Sequence, residues 1–236
     1  ALNSIGIKNV RIFGCPTAFR HCKPELKLPR IEASAINRRG FTLRRKTHGF
    51  QTLQRYMLRT LAERYDTEIL CAGELEEKQI YYARTKQVEN DDQVMKDAVQ
   101  KLTAEKWLSG AKDPLLDLYK SSLSVFESVA DFEKAEQSLD AVTGFRLHGN
   151  LLALANEVPA LYVTRTREFV KTLGIPYIDG RYMDKFSFEE AWDNADFDLF
   201  EKTYQQRFGE LKKFLEENSM AHRLGRVPTP YVAEAA

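Results

Sequence analysis

Two hydrophobic rhythms alternate along this chain. In residues 47–64 apolar side chains recur at Phe50, Leu53, Met57 and Leu61, one face of an amphipathic helix. Residues 67–73 follow as a short apolar run closed by glycine, the pattern of a buried strand. A mainly helical stretch comes next, with Asp92 as a cap and Val94, Met95, Ala98 and Leu102 on one side. Residues 123–126 read as a short strand, and Ser128 opens a helix with Val129, Phe132 and Leu139 inward. Strands are predicted again at 141–143, 158–163 and 176–178, and a short helix at 165–173 that stops at Gly174. Earlier in the chain, 9–13 and 31–36 also read as strands, the latter running into the polar loop Asn37-Arg38-Arg39-Gly40. A charged helix over 198–218 carries Phe200, Tyr204, Phe208, Leu211 and Leu215. Strand-helix alternation of this kind predicts an α/β fold, a parallel Rossmann-like sheet with flanking helices.

The boundaries follow from the same pattern. Residues 1–28, broken by Pro16 and Pro24, read as the end of an N-terminal unit and a linker. Residues 29–180 form the Rossmann-like domain, 181–226 a helical extension and 227–236 a loose tail. A chain that opens on Ala1 and reaches a strand almost at once suggests that an N-terminal portion is absent.

Composition narrows the class. Hydrophobic residues make up 43% and charged residues 29%, with three cysteines and no apolar run long enough to span a bilayer. Neither a disulfide framework nor a metal-ligand spacing is visible, which fits a reducing, cytoplasmic setting. The net charge is only +1, yet Arg20 to Arg64 holds twelve Lys or Arg against Glu25, Glu32 and Glu63. That asymmetry predicts one positive surface for phosphate or carboxylate groups.

The candidate chemistry centres on Gly144-Phe145-Arg146-Leu147-His148-Gly149, between a strand and the run Leu151-Leu152-Ala153-Leu154-Ala155. A strand, a glycine-flanked turn and a helix N-terminus make an anion-binding place at a sheet edge. Arg146 adds a fixed cation and His148 a group that can move a proton near neutral pH. Arg38 and Arg39, at the exit of the strand predicted over 31–36, and Arg165 and Arg167, at the exit of another, are expected to converge on the same edge. Arginine forks there would bind a small polyanion. Each of these four also has the plainer reading of a solvent-facing base. No dinucleotide fingerprint, Walker loop or nucleophile elbow is present.

The segment from Gly144 to Ala155, followed by Val158-Pro159-Ala160, resembles the signature of the polysaccharide pyruvyl transferase family. Thr164-Arg165-Thr166-Arg167-Glu168, ahead of Leu173-Gly174-Ile175-Pro176, is similar to that family's next motif. Ile5 to Val10, running to Gly14-Cys15-Pro16-Thr17, looks like the stretch linking its halves. The resemblance implies the C-terminal, donor-binding half of a GT-B fold. It implies transfer of pyruvyl from phosphoenolpyruvate to a sugar of a polysaccharide or lipid-linked oligosaccharide, forming a ketal. Phosphoenolpyruvate would be a co-substrate, with no resident cofactor or metal, and the enzyme would work at the inner face of the membrane where the acceptor is lipid-linked. Arg146 and His148 would be catalytic. Arg38, Arg39, Arg165, Arg167, Gly144 and Gly149 would bind the donor. Much of the acceptor site would belong to the absent half, so this chain alone would be incomplete for activity. Two other classes stand beside it: a GT-B glycosyltransferase with a nucleotide-sugar donor, and a module whose basic segment binds nucleic acid or anionic lipid. The basic segment lacks interleaved aromatics, so nucleic acid ranks last.

Overall fold

The computed structural model describes residues 11–46, 49–181 and 186–226. Six strands form one all-parallel sheet: β1 (Arg38–Thr42), β2 (Asp66–Cys71), β3 (Leu123–Val125), β4 (Ala141–Gly144), β5 (Ala160–Thr164) and β6 (Tyr177–Asp179). Their spatial order is β3-β2-β1-β4-β5-β6, a doubly wound arrangement. The direction of travel reverses between β1 and β4, where Thr42 pairs with Gly144. The fold is therefore the Rossmann-like α/β class that the alternating pattern predicts.

Nine helices accompany the strands among the described residues. They are α1 (Gln51–Arg64), α2 (Leu75–Arg84), α3 (Asp91–Ala104), α4 (Pro114–Ser122), α5 (Val129–Glu136), α6 (Leu147–Ala155), α7 (Arg167–Thr172), α8 (Phe188–Asp193) and α9 (Phe197–Glu217). Because the order reverses there, the right-handed crossovers that parallel strands follow would set α1 and α6 on opposite faces of the sheet. Caps act where the sequence offers them. Ser128 Oγ accepts from the Asp131 amide at the head of α5, and Asp113 accepts from the Leu115 amide at the head of α4.

α6 is apolar nearly all round, and Gly149 through Ala155 are all buried. Its outer face is covered by a 3-10 turn, Pro16–Phe19, in the N-terminal segment. Phe19 in turn packs on Tyr204 and Phe208 of α9, with ring centroids 5.4 and 6.2 Å apart. Phe19, Leu26 and Leu28 thus share one core with the sheet.

Two strand expectations change. The segment 31–36 contains a 3-10 turn, Ala33–Ala35, and the first strand begins two residues beyond it at Arg38. Ala33 is buried in that turn and Ile36 just after it, neither of them in a strand. The central strand is disguised because it opens with two arginines. Of the strand expected over 9–13, residues 9 and 10 lie outside the described residues, and 11–13 have no regular structure. The tail 227–236 also lies outside the described residues.

Glu136, the last residue of α5, is completely buried. Asn156 Nδ2 donates to its Oε2 at 3.4 Å, and burial pushes its carboxyl up to about 9. From about pH 4.5 to 9 the folded state holds this proton and the unfolded state does not. Unfolding then releases a proton, so this group lowers stability as pH rises through that window. Glu136→Gln is expected to raise stability by about 1–3 kcal/mol at pH 8 and to change little at pH 4. Urea unfolding at the two pH values checks this; an equal effect at both would contradict a protonated carboxyl.

Candidate active site

The site is built on the seam where β1 and β4 meet. The Phe145 amide donates to Thr42 O at 2.9 Å, continuing the strand pairing past Gly144. Buried Asn150 Nδ2 donates to Thr42 Oγ1 at 2.9 Å and to Arg146 O at 2.9 Å, which ties the first turn of α6 to both strands. A Cβ on Gly144 would lie 2.5 Å from Thr42 O and 2.6 Å from Thr42 N, and one on Gly149 would lie 2.8 Å from Thr42 Cγ2. Both glycines let α6 and β4 close on β1. Gly149 also lines the cleft described below, whereas Gly144 faces Thr42.

Beyond Gly144 the chain turns, with Arg146 extended at φ −101° and ψ 107°, and α6 begins. Arg146 Nε donates to Leu43 O at 3.1 Å and Nη2 to Glu74 Oε1 at 2.6 Å. Glu74 is buried at the exit of β2, where its Oε2 also accepts from the Gly73 amide at 3.2 Å. The guanidinium is thereby fixed against three strand exits. His148, two residues on in the first turn of α6, is exposed. Both residues line a cleft of about 660 Å³ over the carboxyl ends of the strands. Its other walls are Ala72 after β2, the turn from Phe126 to Val129 leading into α5, and Pro16, Thr17 and Arg20 of the N-terminal segment. The first turns of α5 and α6 both line it, through Val129 and His148, and bring their positive dipole ends to it, the Asp131 amide of α5 being already taken by Ser128 Oγ.

The other expected cations do not gather here. Arg38 and Arg39 stand at the start of β1, roughly 13 Å along the strand from its exit. Arg39 is buried, with its guanidinium carbon 3.1 Å from the Tyr65 ring centre and 3.7 Å from that of Phe188. Burial lowers its pKa to about 10, and Nη2 donates to Ala33 O and Ile36 O at 3.4 Å. It is a core cation holding α8 to the base of the sheet. Arg38 donates to Ser138 O at 2.8 Å on the same end. The strand start is the cause: because β1 begins at Arg38, the two arginines sit at its amino end.

Arg165 and Arg167 do lie at the carboxyl edge, at the exit of β5. Arg165 Nη2 donates to Gly49 O at 2.9 Å and its guanidinium covers the Phe50 ring at 4.4 Å. Arg167 is ion-paired with Asp179 of β6. Arg181 and then Arg167 hold that carboxyl down at about 2. Neither lines the cleft.

The expected positive surface is likewise replaced by pairing. Arg20 meets Glu133, Lys23 meets Glu157, Arg30 meets Asp198 and Glu201, and Arg55 and Arg59 share buried Asp113. Fully buried Arg45 sits among Glu76, Glu77 and Glu105. Acids from the rest of the chain compensate the basic segment in space.

Glu74, Phe126 and Glu127 are site residues that the sequence pattern did not single out. Their signal was position: each follows the exit of a strand in a parallel sheet, where ligands are met. Among the described residues no group of three or more His, Cys, Asp or Glu is placed to hold a metal ion. No helix there is long and apolar enough to cross a membrane. Comparison with protein families, with curated proteins and with solved structures finds no match to this chain.

Because the added methyl would meet backbone at Gly144 but a side chain at Gly149, the two glycines should differ. Gly144→Ala is expected to cost about 3 kcal/mol or more, and Gly149→Ala less. Equilibrium unfolding of both variants measures the order, and an equal cost would remove the β1-β4 approach as the constraint.

Proposed function

We propose that this cleft binds phosphoenolpyruvate and that the chain is the donor-binding part of a polysaccharide pyruvyl transferase. The observation that carries the reading is the joint presence of Arg146 and His148 on one wall of the cleft, at the N-terminus of α6. Phosphoenolpyruvate carries a phosphate and a carboxylate. Amides of the first α6 turn suit one anionic group, and Nη1 of Arg146, which donates to neither Leu43 O nor Glu74, suits the other.

Ketal formation then needs a proton on the methylene carbon of the donor and a bond from a sugar hydroxyl oxygen to the adjacent carbon. A second hydroxyl of the same sugar displaces phosphate from that carbon and closes the ring. One hydroxyl proton replaces the one added to the methylene, and the other leaves with phosphate. His148 is the exposed titratable group of this wall, suited to passing that proton. Preorganised positive charge from Arg146 and the helix N-termini stabilises the departing phosphate. A lipid-linked acceptor would bring the enzyme to the inner face of the membrane. The paired state of the basic segment supports a small anionic donor over nucleic acid as the ligand.

Thermal stabilisation by phosphoenolpyruvate is expected for the wild type and not for Arg146→Ala. Because that change strands the buried Glu74 carboxylate, the Arg146→Ala/Glu74→Ala pair serves as the folded control and should also lose the shift. Stabilisation by a nucleotide-sugar with phosphoenolpyruvate inert would overturn the assignment in favour of glycosyl transfer. With an acceptor in hand, His148→Ala should lower kcat by roughly a hundredfold while donor affinity changes little. An unchanged kcat would remove His148 from the chemistry.

A further inference from the structure

The cleft is bipartite. Its α6 wall is cationic, but its far wall, the turn between β3 and α5, is aromatic and acidic. Phe126 and Phe132 meet edge to face there, with centroids 4.8 Å apart and planes at 69°. Phe126 is half-buried and Phe132 buried, so the pair is a fixed apolar wall rather than a mobile one. Next to it stands exposed Glu127, whose Oε1 accepts from Tyr82 OH at 3.2 Å. Leu152 and Ala72 complete the apolar floor.

A volume of about 660 Å³ is that of a site for a drug-sized ligand, well beyond what phosphoenolpyruvate fills. With the donor at the α6 wall, the part left over is the aromatic end. A carboxylate at that end repels a second anion, such as the phosphates of a nucleotide. It accepts well from vicinal hydroxyls, and an aromatic face packs against the C–H face of a ring. We infer that the Phe126-Glu127 wall is a subsite for a neutral pyranose ring, stacked on Phe126 with hydroxyls donating to Glu127. This places part of the acceptor site on this chain, across the cleft from His148. Identifying the ring as the acceptor rests on the pyruvyl-transfer reading; the ring subsite itself rests on the wall.

The test is saturation-transfer NMR with the methyl glycosides of glucose, galactose and mannose. At least one should receive saturation, strongest on the C–H protons of one ring face. Phe126→Leu keeps a large apolar side chain but removes the π face and should weaken that glycoside roughly fivefold, the scale of one aromatic contact, whereas Phe126→Tyr should restore it. Glu127→Gln should weaken it as well. No transfer to any of the three glycosides, or equal transfer to wild type and Phe126→Leu, would overturn the subsite. So would a uridine or guanosine diphosphate that saturates through its base and is lost in Phe126→Leu. Glycoside binding that depends on Phe126, with phosphoenolpyruvate giving no stabilisation, would uphold the subsite and overturn the pyruvyl reading alone.

Discussion

The approach of β4 to β1 is the constraint on which the rest of the molecule depends. At this seam the sheet reverses its direction of travel, and the chain must leave two neighbouring strands toward opposite faces. That opens a crevice between the departing loops. The crevice keeps its shape only if the strands stay in contact to their last residue. Thr42 does this by offering its carbonyl to Phe145 and its hydroxyl to Asn150, while two glycines remove the methyls that would hold the backbones apart. Asn150 then fixes the phase of α6 relative to the sheet, and with it the direction in which Arg146 and His148 leave the turn. The cleft walls are consequences of this one contact.

α6 adds a second requirement. A helix apolar nearly all round, exposed at His148 in its first turn, needs a cover for its outer surface. The Pro16–Phe19 turn does so, and α9 locks the turn through aromatic contacts. Arg20 and Thr17, which follow from that packing, become the cleft's outer wall. Burial of a helix and construction of a site are here the same event.

Much of this was legible from the pattern alone. The helix over Gln51–Arg64, the Ser128 cap and the strand-turn-helix around Arg146 follow from local periodicity and capping chemistry. The start of β1 was not legible, because an arginine at the first fully buried strand position contradicts hydrophobic patterning. Arg39 is tolerated there only because Tyr65 and Phe188, 26 and 149 positions away by their numbers, sandwich it. Long-range compensation of that kind leaves no local trace. The same reason hides the fate of the basic segment, whose partners Glu133, Glu157 and Asp198 all come from the second half of the chain.

The N-terminus of α2 is where these lines join. Glu74, Glu76 and Glu77 cluster there, a favourable place for negative charge at a helix start. Burial pushes Glu77 up, and Arg45 pulls it back. Arg45 reaches this acidic cluster from the loop after β1, and Arg146 reaches it from the turn after β4. Two arginines on opposite sides of the sheet reversal are thus anchored to one rigid helix end. A cation held in this way loses part of its net charge but little orientation entropy when it meets an anion. In a cleft already served by two helix N-termini, direction is the scarcer property, and Glu74 supplies it to Arg146.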